Sequence, residues 1–109
     1  MFKQKEWIFL GKSGDEYTFK IYKKAETYPQ CEGIFIFAYT HPRGHLAGFE
    51  THALYIGSSD NLKKTMASPP KQDCVTKECW NCTYILVTEN NQQQRNIVND
   101  LRKATPLPC

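Results

Sequence analysis

Cysteine thiols are the side chains whose spacing in this sequence most directly suggests chemistry. Cys74, Cys79 and Cys82 follow one another closely enough to place three thiolates around one zinc ion. The residues that could supply a fourth ligand are Cys31, Cys109, His41, His45 and His52. A structural zinc motif usually has two paired ligand clusters, whereas this chain has a single CxxC. We therefore favour free cysteines over zinc, and we expect no metal or other cofactor.

A second candidate is the segment at residues 40–51. It contains one proline and two glycines and therefore predicts a loop between two apolar stretches. Arg43 and His45 lie in this loop, which is long enough to be typical of loops that carry function. A histidine here could act as a base, although solvated loop side chains are the simpler interpretation. Arg43 and His45 remain candidates for contact with nucleic acid.

Two short strings lie on the apolar stretches that flank this loop. Gly33-Ile34-Phe35 opens the run GIFIFAY, and Tyr55-Ile56-Gly57 closes the run HALYIG and is followed by SSDNLKK. Together they resemble the paired signature of the GIY-YIG nuclease superfamily, over about residues 33–109. The hairpin-like start and the end PLPC resemble small stand-alone members. The resemblance implies metal-assisted phosphodiester hydrolysis, in which a carboxylate holds the cation and an arginine stabilises the oxyanion.

Three of the four positions that this chemistry uses carry a different group here. Tyr55 matches one signature tyrosine and keeps its phenol. Phe35 stands at the other and can neither act as a base nor orient a water molecule. Thr65 falls at the position of the family's arginine, and Val98 at that of its metal-binding glutamate, or Asn99 if the register slips by one. The resemblance therefore implies lost catalytic groups at Phe35, Thr65 and Val98.

Neighbouring residues do not obviously replace the missing groups. Lys63 and Lys64 lie beside Thr65, but adjacent helical residues point about 100° apart, so Lys64 replaces the arginine only if the helix is rotated. Asp100 follows Val98 by two positions and faces away from any site that Val98 lines. If the alignment is right, Thr65 and Val98 face Tyr55 across one cleft.

The apolar pattern predicts strands and helices of an α+β fold with an N-terminal β-hairpin, and the resemblance implies that the core is a small antiparallel sheet of three strands flanked by helices. Gly33 begins a strand that is apolar on both faces and is therefore covered on each side. Ser58, Ser59 or Asp60 caps the first helix, which ends before Ser68. The other expected elements are a hairpin from EWIFLG and EYTFKIYKK, strands at 53–56 and 83–88, a brief helix or irregular segment at 71–81, and a helix from Asn90 or Asn91 to about Ala104 with Ile97, Val98, Leu101 and Ala104 on one face.

Length and composition bound the remaining possibilities. The 109 residues suit one domain, with a hairpin and loop at 1–32 and the core at 33–109. A net charge of +3 permits contact with phosphates without requiring it. No window is long and apolar enough for a signal peptide or a membrane span. The odd number of cysteines fits a reducing compartment, so we expect a cytoplasmic protein.

Two functions from different classes follow. In the first, the chain is a catalytically degenerate module that binds DNA or RNA, or a protein partner, through Tyr55, Lys63, Lys64 and the loop with Arg43 and His45. In the alternative, it is an endonuclease that still hydrolyses DNA with Mg²⁺ and substituted residues, such as Tyr55 with Lys64 and a histidine. We favour the first, without an enzymatic activity.

Overall fold

The structure, a computed structural model, describes residues 6–23, 28–42, 49–104 and 106–109. Within these ranges the chain forms the expected α+β fold. Its elements in chain order are β1 (Glu6–Leu10), β2 (Glu16–Lys23), β3 (Gly33–Pro42), β4 (Phe49–Ser59), α1 (Leu62–Ala67), α2 (Gln72–Lys77), β5 (Cys82–Val87) and α3 (Asn91–Ala104). No helix in this part of the chain is both long and apolar enough to cross a membrane.

The strands form one five-stranded antiparallel sheet in the order β1-β2-β5-β3-β4. β3 is the middle strand of β5-β3-β4, and the N-terminal hairpin joins the sheet where β2 pairs with β5. The predicted hairpin and the predicted antiparallel pairing of the two strands that carry the short strings are therefore confirmed. The prediction of a loop over residues 40–51 is wrong at both ends, because β3 continues to Pro42 and β4 begins at Phe49.

A β-bulge interrupts the pairing of β3 with β4. Phe37 lies opposite Tyr55, but the next residue, Ala38, lies opposite Ala53, which leaves Leu54 as the extra residue. A bulge changes which side chains of the longer strand point to each face of the sheet. Leu54 and Tyr55 consequently both pack on the same face.

Each face of the sheet has its own hydrophobic core. We call one the α3 face; its buried residues include Ile34, Ile36, Ala38, Ile56 and Tyr84 on the strands and Ile97, Val98 and Leu101 on α3. We call the other the aromatic face; it contains Phe35, Phe37, Leu54, Tyr55 and Trp80, with Leu62 of α1 and Val75 of α2. Because strand side chains alternate, β3 contributes to both cores and is covered on both sides as predicted.

Helix boundaries differ from the expectation in detail. β4 extends to Ser59, which pairs with Gly33, so the N-cap of α1 is Asn61, whose side chain accepts a hydrogen bond from the Lys64 backbone N–H at 3.1 Å. The prediction that Ser58, Ser59 or Asp60 caps this helix is therefore wrong, whereas its end before Ser68 is confirmed.

The last helix begins as predicted but buries a slightly different stripe. The Asn90 side chain accepts a hydrogen bond from the Gln93 N–H at 2.9 Å and so caps α3. Ala104 is exposed, contrary to the prediction, and Gln94 is buried one turn before Ile97 and Val98. Its side-chain amide donates to the Thr88 carbonyl at 2.7 Å, which satisfies the buried polar group.

Two of the cysteines form a disulfide. Cys74 of α2 is bonded to Cys109, with their Cα atoms 5.9 Å apart, so the prediction of free thiols is wrong for this pair. The bond also removes Cys74 from the suggested zinc ligands Cys74, Cys79 and Cys82. Disulfides persist mainly in oxidising environments, so it does not support the reducing compartment inferred from the odd cysteine count. The cytoplasmic location stays a prediction.

Asp100 joins the N-terminal hairpin to α3. Its carboxylate accepts hydrogen bonds from the Ser13 N–H at 2.9 Å, the Ser13 hydroxyl at 2.7 Å and the Tyr17 hydroxyl at 2.7 Å. The bonds from Ser13 and Tyr17 lower the pKa of Asp100, and the hydrogen bond to Asp100 raises the pKa of Tyr17 from 10.0 to about 12. The acid is thus engaged by the N-terminal hairpin.

Breaking the disulfide should destabilise the fold. The bond closes a loop between residues 35 positions apart, and restricting an unfolded loop of this length stabilises the native state by about 2–4 kcal/mol. Cys109→Ser should lower the free energy of unfolding, measured with urea, by about that amount. Cys79→Ser, at an exposed free cysteine, is the matched control and should change it little. Equal stability of both variants would contradict the bond.

The Asp100 contact should make stability depend on pH at both ends of the range. Tyr17 has a folded-state pKa above its unfolded value, so its contribution is complete below pH 10.0 and is lost as the pH rises towards about 12. Asp100 has a lowered folded-state pKa, so its contribution is complete above the ordinary value of 3.8 and is lost in more acid solution. Urea midpoints measured against pH should show both losses.

Two variants separate these effects. Tyr17→Phe should remove the alkaline loss, and Asp100→Asn should remove most of both losses, while Glu89→Gln, at an exposed acid elsewhere, should leave both unchanged. An absorbance titration of the wild type minus Tyr17→Phe should show one phenol ionising near pH 12. Ionisation of that phenol near 10 would count against the contact.

Candidate functional site

The two short strings do come together on the aromatic face. Phe35 on β3 is 2% exposed, and its ring centroid lies 6.0 Å from that of Tyr55 on β4. Phe37 packs between these rings and Trp80, at 5.1 Å from Phe35 and 4.5 Å from Trp80. Tyr55 is partly exposed at the edge of this cluster. Its phenol is therefore accessible, whereas Phe35 has the surroundings of a core residue.

The glycine that follows Tyr55-Ile56 is needed by this packing. Gly57 lies directly opposite Phe35 in the sheet. A Cβ atom at Gly57 would lie 2.8 Å from Cζ of Phe35 and 3.1 Å from Cε2 of Tyr55. The first distance is well inside van der Waals contact, so the two rings occupy the space that any other residue would fill.

The other glycine of the pair has a similar constraint. A Cβ atom at Gly33 would lie 2.6 Å from the backbone oxygen of Leu86 on β5 and 2.9 Å from a methyl group of Leu62 on α1. Glycine therefore allows β5 and α1 to approach the start of β3 closely. Both glycines of the resemblance are explained by packing alone.

Thr65 on α1 fastens the helix to the end of β4. Its hydroxyl forms a hydrogen bond with the Ser59 hydroxyl, and Ser59 is itself buried and accepts from the Asn61 N–H at 3.0 Å. Thr65 carries no charge. Its hydroxyl can hold the helix by a hydrogen bond, but it lacks the positive charge and paired donors with which arginine binds a phosphate. Lys63 and Lys64 are exposed on the same helix.

Val98 lies on the opposite face of the sheet from Phe35 and Tyr55. It is buried in the core of the α3 face, with Ile56 among its neighbours in that core, while Tyr55 packs on the aromatic face. Adjacent strand residues such as Tyr55 and Ile56 point to opposite faces of a sheet. The prediction that Val98 faces Tyr55 across one cleft is therefore wrong, because the sheet lies between them. The alignment that placed Val98 at the position of the metal-binding glutamate is wrong with it, so Val98 no longer supports a loss of catalysis.

A residue of α3 that sequence reasoning missed does reach Tyr55. The guanidinium of Arg102 lies over the Tyr55 ring, with Cζ 5.6 Å from the centroid, and its Nε donates to the Ile56 carbonyl at 3.1 Å. Arg102 follows Val98 by four positions, one turn of helix. Helical spacing alone predicts that Arg102 and Val98 lie on the same side of α3. That the Arg102 side chain extends past the edge strand β4 to the aromatic face depends on where α3 crosses β4, which the sequence does not give.

Metal-binding side chains gather elsewhere. Within the described ranges, the one group of three or more histidine, cysteine, aspartate or glutamate side chains close enough to share an ion is His41, Glu50 and His52. These residues lie towards the far end of the β3–β4 pair, away from Phe35 and Tyr55. Arg43 and His45, the other candidates of this region, lie outside the described residues.

A groove runs beside β4 on the way to that end. It has a volume of about 510 Å³ and lies between the strand and the C-terminal segment. Its lining includes Tyr39, His52, Leu54, Glu78 and Pro108. The Cys109 N–H donates to the Leu54 carbonyl at 3.1 Å, so the disulfide and this hydrogen bond together hold the groove's outer wall.

Comparisons with protein-family profiles, with curated proteins and with solved structures found no match to this chain.

Replacing Gly57 should test the packing account of the aromatic face. Gly57→Ala forces Phe35 or Tyr55 to move, and overpacking of this kind costs about 1–3 kcal/mol. The free energy of unfolding should fall by that amount, whereas Ser58→Ala, at the exposed neighbouring residue, should change it little. In a Phe35→Leu background the cost of Gly57→Ala should shrink. An unchanged cost there would show that the two residues are not coupled.

Proposed function

We propose that this chain is a GIY-YIG nuclease-like domain that does not cleave by the family's metal-dependent mechanism and that binds nucleic acid. The order of elements over residues 33–109 supports the family placement. That resemblance implies strand, strand, helix, strand, helix, and the corresponding elements are β3, β4, α1, β5 and α3, with α2 as an additional short helix.

The surroundings of Tyr55 are the observation that most supports the loss of cleavage. Its ring neighbours are Phe35, Phe37 and the guanidinium of Arg102. Mg²⁺ is held by oxygen ligands, chiefly carboxylates, and the cluster of metal-binding side chains lies at the other end of the strand pair. Among the described residues, the one group of three or more possible metal ligands is therefore away from the Tyr55 phenol, which weakens the case for a hard cation acting on it.

The positions that the resemblance assigned to the family's arginine and glutamate give weaker support for the loss of cleavage. Thr65 is uncharged and uses its hydroxyl in a hydrogen bond with Ser59. Val98 occupies the wrong face, so it carries no information about a lost metal ligand. The case against cleavage is therefore made by what surrounds Tyr55 and Phe35, and not by the residue type at position 98.

Exposed cationic side chains on the helices that flank the sheet favour a nucleic-acid partner. Lys63 and Lys64 are exposed on α1, whose Leu62 packs into the aromatic face, and Arg102 lies over Tyr55 from α3. The start of α1 is fixed by hydrogen bonds from its backbone to Pro29 and Cys31. Positive charge tracks a phosphate backbone while an aromatic face stacks with a base, a combination typical of single-strand binding.

Binding and its salt dependence test this function. The wild type should bind single-stranded DNA or RNA oligonucleotides at low salt, measured by fluorescence anisotropy, with an affinity that falls as salt rises. Lys63→Ala/Lys64→Ala should weaken binding and reduce the slope of log K against log[salt] by roughly 1.4, because each phosphate that a lysine no longer neutralises lowers the slope by about 0.7.

The matched control removes the same charge from another place. Lys12→Ala/Lys20→Ala takes two exposed lysines from the N-terminal hairpin and should leave the slope unchanged. An equal effect of both double variants would show that net charge alone drives binding. Absence of binding at low salt would contradict nucleic-acid recognition and leave a protein partner as the ligand of this surface.

A further inference from the structure

Two histidines and a glutamate converge where β3 and β4 approach the 43–48 segment. His41 of β3 lies opposite Glu50 of β4, and Tyr39 lies opposite His52. Residues directly opposite each other in an antiparallel pair point to the same face. All four side chains therefore lie on one face, the same one to which Phe37 and Tyr55 contribute.

The bulge at Leu54 creates this arrangement. Continuing the pairing of Phe37 with Tyr55 without a bulge would place Ala53 and Thr51 on this face. The extra residue shifts the register, so that His52 and Glu50 take those places. Bulges commonly re-aim side chains at functional sites, and this one gathers three potential metal ligands that regular alternation would separate.

The ligand atoms are close together. Nε2 of His41 lies 3.1 Å from Nε2 of His52 and 3.8 Å from Oε2 of Glu50, and Nε2 of His52 lies 4.0 Å from Oε1 of Glu50. Zinc bonds of 2.0–2.1 Å at tetrahedral angles place two ligand atoms about 3.3 Å apart. The separation of the two imidazoles is close to that value, and the carboxylate oxygens, at 3.8 and 4.0 Å, must each approach by roughly 0.5–0.7 Å.

We propose that His41, Glu50 and His52 form a site for a divalent transition-metal ion of the zinc class. Imidazole nitrogens favour such ions over Mg²⁺. Two histidines and one glutamate are a ligand set that holds Zn²⁺ with a fourth position left open. His52 and Glu50 are 51% and 56% exposed, so an ion can enter from solvent and keep a water molecule at that position.

Neighbouring rings position the histidines before any ion binds. Tyr39 stacks on His41 with ring centroids 5.2 Å apart and an interplanar angle of 26°, and on His52 at 6.3 Å and 17°. Fixing the orientation of a ligand ring reduces the entropy that metal binding must overcome. The site is therefore partly organised on the rigid strand pair.

The proposed ion is separate from the proposed function at Tyr55. His41 lies four residues along β3 from Phe37, the partner of Tyr55, which corresponds to about 13 Å of strand. The nearer ligand, His52, pairs with Tyr39, two residues from Phe37 or about 7 Å of strand. The ring neighbours of Tyr55 are Phe35, Phe37 and Arg102 and not the three ligands. Metal binding and nucleic-acid binding can therefore succeed or fail independently.

Titration with Zn²⁺ and Co²⁺ tests the site. The wild type should bind one equivalent of Zn²⁺ in calorimetry, in the presence of excess Mg²⁺, and its unfolding midpoint should rise with the metal. His52→Ala and Glu50→Gln should each weaken binding by about tenfold or more, as expected for loss of a ligand. Glu16→Gln, at an exposed glutamate of β2, is the control and should bind like the wild type.

Spectroscopy distinguishes this site from the remaining thiols, Cys31, Cys79 and Cys82. Bound Co²⁺ should show visible ligand-field bands without a thiolate charge-transfer band, and the ring signals of His41 and His52 should shift in NMR spectra of the wild type with Zn²⁺. A thiolate band, unshifted histidine signals, or equal affinity of the wild type and His52→Ala would each overturn the proposal.

Discussion

The pairing of β3 with both β4 and β5 is the constraint on which the rest of the molecule depends. Because β3 lies between two strands, its backbone hydrogen bonds are satisfied on both edges and its side chains must serve two cores. Ile34 and Ile36 face α3, whereas Phe35 and Phe37 face α1 and α2. A slip of one residue would exchange these sets and bury each against the wrong helices, so the register fixes where every helix packs.

The close packing around β3 explains why the two short strings contain glycine. The absence of a side chain at Gly57 leaves space for the rings of Phe35 and Tyr55, and its absence at Gly33 allows β5 and α1 to approach β3. The Phe35 ring is therefore fully engaged in packing. The bulge at Leu54 then divides the face in two: an aromatic cluster with Arg102 at one end, and imidazole and carboxylate groups at the other.

Local patterns were sufficient to predict much of the fold. The hairpin, the doubly covered β3 and the strand β5 follow from short apolar runs and turn residues, and the antiparallel pairing of β3 with β4 was anticipated from chain order. The pairing of β5 with β2 and β3 was not predicted. Features set by distant contacts were not predictable in this way. The cap Asn61 depended on how far β4 extends, and the bond from Cys74 to Cys109 depended on where the C-terminal segment crosses α2. The prediction that Val98 faces Tyr55 was wrong for the same reason, because helical spacing does not indicate which face of the sheet a helix covers.

The central proposal is that the domain built on β3 and β4 binds nucleic acid and does not cleave its phosphodiester bonds. The most direct test is turnover of DNA and RNA, single- and double-stranded, by the purified wild type with Mg²⁺ or Mn²⁺. Tyr55→Phe keeps the ring in the aromatic cluster and removes only the phenol, so it is the matched comparison. The account predicts no cleavage above the protein-free background for either protein. Cleavage by the wild type that disappears in Tyr55→Phe would contradict it.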